Sequence, residues 1–158
     1  MQQKVEEFMR EAIRLSIDNV EQGRGGPFGA VVVKDGKIIG RGANCVTTHN
    51  DPTAHAEMVA IREACAFLND HQLSGCEIYC SCEPCPMCFG AIYWARPDKV
   101  YFANTKEDAA AIQFDDHFIY EELALHYSQR KLPTLHITDT NANEAFEKWM
   151  ESPHRIEY

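Results

Sequence analysis

Five of the chain's seven cysteines, Cys76, Cys80, Cys82, Cys85 and Cys88, fall within thirteen of its 158 residues. The opening MQQKVEEFMR lacks a signal-peptide core, so a reducing, cytoplasmic setting is expected, where an odd set of thiols is not a disulfide framework. A cluster of thiols then reads as metal or redox chemistry. In Pro84-Cys85-Pro86-Met87-Cys88 the two flanking thiols stand three apart, and Pro86 suits the first position of a helix, where its missing N–H costs little. His55-Ala56-Glu57 opens another helical stretch. Cys85, Cys88 and His55 supply three zinc ligands and leave the fourth tetrahedral position open, the arrangement of a catalytic rather than a structural zinc. Any fold of this chain must therefore bring two separate helix starts together. Glu57, two residues after His55, would not share a face with it inside a helix. Both must approach the metal from the helix end, with Glu57 moving protons between water and substrate.

Plainer readings compete. Cys82-Glu83-Pro84-Cys85 offers a second redox-like spacing, and Cys80 or Cys82 could complete a structural four-ligand zinc. An unligated acid beside the metal has no use in a structural site. Cys45 and Cys65, standing alone, read as small hydrophobes, and His71 and His126 as surface residues.

The apolar spacing of Val5, Phe8, Met9, Ala12 and Ile13, continued by Ser16 and Val20, predicts a helix over about 3–22, broken by Gly23-Arg24-Gly25-Gly26-Pro27. Phe28 to Val33 and Lys37 to Asn44 flank an Asp-Gly turn and form a hairpin. Helices follow over 54–68 and 86–94, with strands over 77–80, 99–103 and 135–138. Residues 114–125 lie in a less regular acidic region, and a last helix carries Phe146, Trp149 and Met150 before the tail from Ser152. The alternation gives an α/β chain, a mixed sheet with helices on both faces, folded as one domain over 1–158.

Fifteen Lys and Arg stand against 24 Asp and Glu, a net charge of −9, and no basic run exceeds Arg130-Lys131. A binder of phosphate backbones needs a basic face, so no nucleic-acid partner is expected. No apolar run approaches the length of a membrane span, and no membrane partner is expected either.

The H-x-E and P-C-x-x-C segments are the signature of zinc deaminases acting on nucleobases. Together with Gly25-Gly26-Pro27-Phe28-Gly29-Ala30, Asn50 to Glu57, Ser81 to Cys88, Phe114 to Tyr120 and the terminal Glu157-Tyr158, they make nearly the whole chain resemble the bacterial guanine deaminases of the cytidine deaminase-like superfamily. The zinc segments are shared by cytosine, cytidine and adenosine deaminases; the Phe-Asp-Asp segment and the terminus discriminate among them. The resemblance implies a three-layer α/β/α sandwich around a five-stranded mixed sheet and conversion of guanine to xanthine and ammonia. His55, Cys85 and Cys88 would hold Zn2+, with Glu57 the catalytic proton shuttle. It further implies that Asn44 hydrogen-bonds the purine, that Phe28 and Trp94 line its flat faces, and that Asp116 binds polar ring atoms. Residues 140–158 would form a helix and tail exchanged between the subunits of a homodimer, placing Tyr158 over a neighbour's pocket.

Overall fold

The computed structural model describes residues 2–158, in two compact units, one ending at Asp116 and one running from His117 to Tyr158. The first unit begins with α1 (Gln2–Glu21), followed by β1 (Gly29–Lys34) and β2 (Lys37–Ala43). A short α2 (Val46–His49), α3 (Ala56–Leu68), β3 (Cys76–Cys82), α4 (Pro86–Ala95), β4 (Lys99–Asn104) and α5 (Lys106–Ala111) complete it.

Among the described residues the sheet has four strands in the order β2-β1-β3-β4. β1 pairs antiparallel with β2 and β3, and β3 runs parallel to β4. Alternate side chains divide between two cores because the strand period is two. Ala30, Val32, Ile78 and Cys80 pack with Ala56, Ala60 and Ala64 of α3 and Ile92 and Ala95 of α4. Val31, Val33 and Tyr79 pack with Phe8 and Ala12 of α1. Each large apolar side chain fully buried in this way contributes about 1.5–3 kcal/mol. These cores make three layers, as expected.

Helix α3 lies close on β2 because β2 carries glycines where a side chain would stand. A Cβ at Gly42 would come within 1.9 Å of the Ala56 carbonyl oxygen, and one at Gly40 within 2.4 Å of that of Ala60. Those contacts fix the first turn of α3, which carries His55 and Glu57. The register sets the other wall. Gly29 faces Ala43 and Ala30 faces Cys80, so Phe28, Asn44 and the segment after Cys82 meet at one end of the sheet, at the carboxyl end of β3. Crevices at the carboxyl ends of strands are where open α/β sheets bind ligands.

The second unit contains α6 (His117–Ala124), a 3-10 turn (Tyr127–Gln129) and α7 (Asn143–Glu151). The expected fifth strand over 135–138 is absent: that stretch is irregular, with Leu135 80% and Ile137 69% exposed. Its alternation is β-competent, but a strand needs a neighbour to pair with, and among the described residues this unit has no other strand. The acidic region expected to be irregular is helical in α6.

Candidate active site

His55 is the N-cap of α3, with extended backbone at φ −69° and ψ 158°, and Glu57 lies in the first turn. Leaving the helix at His55 is what lets residues two apart approach one point. Cys85 occupies the equivalent N-cap of α4, with Pro86 as first helical residue and Cys88 in the first turn. Both helix starts carry partial positive charge, which favours thiolate and carboxylate there.

The Sγ atoms of Cys85 and Cys88 each lie 3.6 Å from His55 Nδ1. Bonds of about 2.3 Å to sulfur and 2.05 Å to nitrogen at a tetrahedral angle separate the two ligand atoms by about 3.6 Å. The donor set therefore fits zinc. All three ligand atoms lie within 4.8 Å of one another, and among the described residues this is the cluster of metal-binding type. Cys80 and Cys82 are not part of it. Cys82 Sγ faces the Thr105 carbonyl at 3.5 Å, and burial pushes its thiol up to about 11 and that of Cys80 well above its ordinary value. Both are thus packing groups, and the fourth-ligand alternative finds no support in their placement.

Glu57 is 8% exposed, with its Oε2 accepting from the Cys88 thiol at 3.5 Å. Burial raises its carboxyl above the usual range. Interaction with Cys88, helped by His55, pulls the Cys85 thiol down to about 4, while the neighbouring Cys85 and burial drive that of Cys88 upward. His55 is raised chiefly by its hydrogen bond with Cys85.

Phe28 is half-buried and meets Phe114 edge-on, with centroids 5.0 Å apart at 87°. Asn44 is buried. Its Oδ1 accepts from the Gly26 and Val46 amides at 3.3 and 3.4 Å, and its own backbone amide donates to the Phe28 carbonyl at 3.1 Å. Asp116, half-buried, has its carboxyl raised by burial first and then by the charge of Cys85, which places it within electrostatic reach of the thiol cluster. Trp94 stands near the C-terminal end of α4, 63% exposed, away from the buried face of Cys88, Ile92 and Ala95. Tyr158, 67% exposed, belongs to the second unit. The structure thus brings His55, Cys85, Cys88 and Glu57 together, with Asp116 in reach and Phe28 beside Asn44.

Two residues escaped sequence reasoning as parts of the site. Phe114, read only as part of the Phe-Asp-Asp segment, packs edge-on against Phe28 although it follows α5, far along the chain. Asn19, 1% exposed, donates through Nδ2 to the carbonyls of Gly26 and Asn44 at 2.8 and 2.9 Å. A signal for Asn19 exists: it follows Ala12 and Ser16 at helical spacing, on the face expected to be apolar. The structure buries Ser16 and Asn19, while Val20 is half exposed.

The family model of the cytidine and deoxycytidylate deaminase zinc-binding region matches residues 2–104. The chain is 51% identical over 153 residues to guanine deaminase of Bacillus subtilis (strain 168), covering 97% of this chain and 98% of that protein. A crystal structure of guanine deaminase from Bacillus subtilis matches with a TM-score of 0.95 at 51% identity, over the same shares of each chain. A structure of guanine deaminase from Nitrosomonas europaea matches at 36% identity and a TM-score of 0.66, covering 70% of this chain and 64% of that one. The chain is 47% identical over 98 residues to the tRNA-specific adenosine deaminase of Aquifex aeolicus (strain VF5), covering 62% of this chain and 64% of that protein.

Proposed function

Because this chain belongs to the cytidine and deoxycytidylate deaminase family of zinc-binding proteins, we propose that it converts guanine and water to xanthine and ammonia. The observation that carries the choice of base is the extent of similarity. The likeness to guanine deaminase spans 97% of the chain and so includes the second unit, whereas that to the tRNA enzyme spans 62%.

His55, Cys85 and Cys88 would hold zinc, which when bound supplies the Lewis acidity that makes a water nucleophilic at neutral pH. Glu57 moves the protons. Burial raises the proton affinity of its carboxylate, which suits a group that takes a proton from water and passes it to a ring nitrogen, then to the leaving amine. Asn44 donates to an acceptor of the purine, since its Oδ1 is already held by two backbone amides. Phe28 lines one flat face and Trp94 the other, and Asp116 accepts from the ring's N–H or amino groups.

The chain works as a single domain over 1–158 whose C-terminal helix and tail, 140–158, are exchanged within a homodimer, bringing Tyr158 over the pocket of a second copy. Supporting this reading, no residue from His117 onward is buried, and a stretch of about 40 residues rarely builds a stable core alone. A cytoplasmic setting is supported by the seven free cysteines. No helix of the described residues is long and apolar enough to cross a membrane.

The test measures xanthine formation from guanine on protein whose zinc has been quantified. About one zinc per chain and steady turnover are expected, with Glu57→Gln keeping zinc and losing roughly 10²–10⁴-fold in rate. A folded, zinc-loaded preparation inert on guanine would overturn the proposal. Zinc lost from Glu57→Gln would make Glu57 a ligand instead.

A further inference from the structure

We propose that Asn19 is a positioning residue for the base, acting through Asn44 and the glycine-rich segment that precedes Phe28. This rests on the reading of Asn44 as a purine contact. The side chain comes from α1, on the opposite face of the sheet from the helices that carry the thiols and Glu57, and touches none of the reacting groups.

Its amide nitrogen closes a ring of hydrogen bonds. Nδ2 donates to the Gly26 carbonyl at 2.8 Å and to the Asn44 carbonyl at 2.9 Å, and the Gly26 amide donates to Asn44 Oδ1 at 3.3 Å. One planar NH2 group thus ties together two segments, 7 and 25 residues away in sequence, one leading into Phe28 and one ending in Asn44. The segment runs against Asn44 with no room to spare: a Cβ at Gly25 would come within 2.2 Å of the Asn44 carbonyl oxygen. A Cβ at Gly26 would in turn come within 3.3 Å of the Phe28 ring and 3.4 Å of the Phe114 ring.

The orientation of the Asn44 amide follows from this ring. With Oδ1 occupied by the Gly26 and Val46 amides, Nδ2 is the end left for a ligand, and Asn44 presents donors. Were Gly26 to drift, one of the two bonds that decide this orientation would be lost, and the amide could turn an oxygen toward an acceptor of the base.

Both hydrogen bonds of the Asn19 side chain are made by Nδ2 alone. Its Oδ1 is buried with no hydrogen-bond partner among the described residues. A buried acceptor left unsatisfied is unfavourable, and native structures hold few of them.

Steady-state kinetics on guanine with Asn19→Ala and Asn44→Ala, singly and together, test this. Asn19→Ala should raise KM at least tenfold and change kcat less than threefold, with zinc content unchanged. In the Asn44→Ala background the same substitution should raise KM by a clearly smaller factor, because the amide whose orientation it sets is gone and only the glycine-rich segment before Phe28 remains. A merely structural role would lower melting temperature and active fraction while leaving KM unmoved in both backgrounds, and that result overturns the inference. Should Asn19→Ala not fold, Asn19→Ser, which keeps one short donor, is read the same way, with a smaller rise in KM. Wild-type protein inert on guanine would defeat the functional reading itself; active wild type with unchanged KM in the variants would defeat only the role of Asn19.

Discussion

His55 and Cys85 do the same thing at two places in the chain: each stands as the extended N-cap just before its helix begins, so that its side chain and one from the first turn converge. That convergence was legible because zinc chemistry imposes both residue types and spacings. The metal also governs how the thiols react. Cys85, held low near 4 by Cys88 and His55, is a thiolate at neutral pH, while buried Cys80 and Cys82 stay protonated. After chelation, alkylation at pH 7 followed by mass spectrometry should find Cys85 modified ahead of Cys80 and Cys82, and added zinc should protect it. Equal labelling of all three would contradict the assignment. Since the ligands bind metal only when deprotonated, acidification should release zinc and abolish turnover together. Asn19 was not legible in the same way: its partners lie on loops, and a polar residue on an apolar face does not announce what it will meet.

Among the elements, those with a strong period or a sharp stop were readable. The hairpin follows from Asp-Gly between apolar runs, and α3 and α4 from apolar spacing and Pro86. The short α2 and α5 were not anticipated, although Thr105 and Asp108 form a capping box that starts α5. Residues 135–138 show the converse: a strand-like pattern is no strand without a pairing edge. What positions His55 and Glu57 is the bare surface of β2 rather than anything in α3 itself. Gly42→Ala should push the first turn of α3 outward, costing about 1–3 kcal/mol of stability. Zinc affinity and turnover should fall with it, measured by thermal melting and metal titration. An unchanged melting temperature with full zinc affinity would show that the glycine contact does not set the site.

For the whole molecule, the sequence carries two signals that the fold alone does not resolve: a net charge of −9 and a C-terminal stretch of exposed apolar residues, including Leu132, Phe146, Met150 and Ile156. The second calls for a covering surface, and the proposed exchange between two copies would supply one. Sedimentation should give a dimer, and deleting 152–158 should lower turnover. Mixing that truncated chain with full-length Glu57→Gln should restore part of it, since mixed dimers pair an intact Glu57 with an intact tail. A fully active monomer, or no recovery from mixed dimers, would contradict exchange. The charge bears on the substrate, because an RNA ligand needs phosphate-neutralising side chains around the site. The central claim is therefore tested most directly by ammonia release from guanine, cytidine and a tRNA anticodon hairpin, measured side by side on one zinc-quantified sample. Guanine should be the substrate turned over; release from the hairpin with guanine inert would contradict the account.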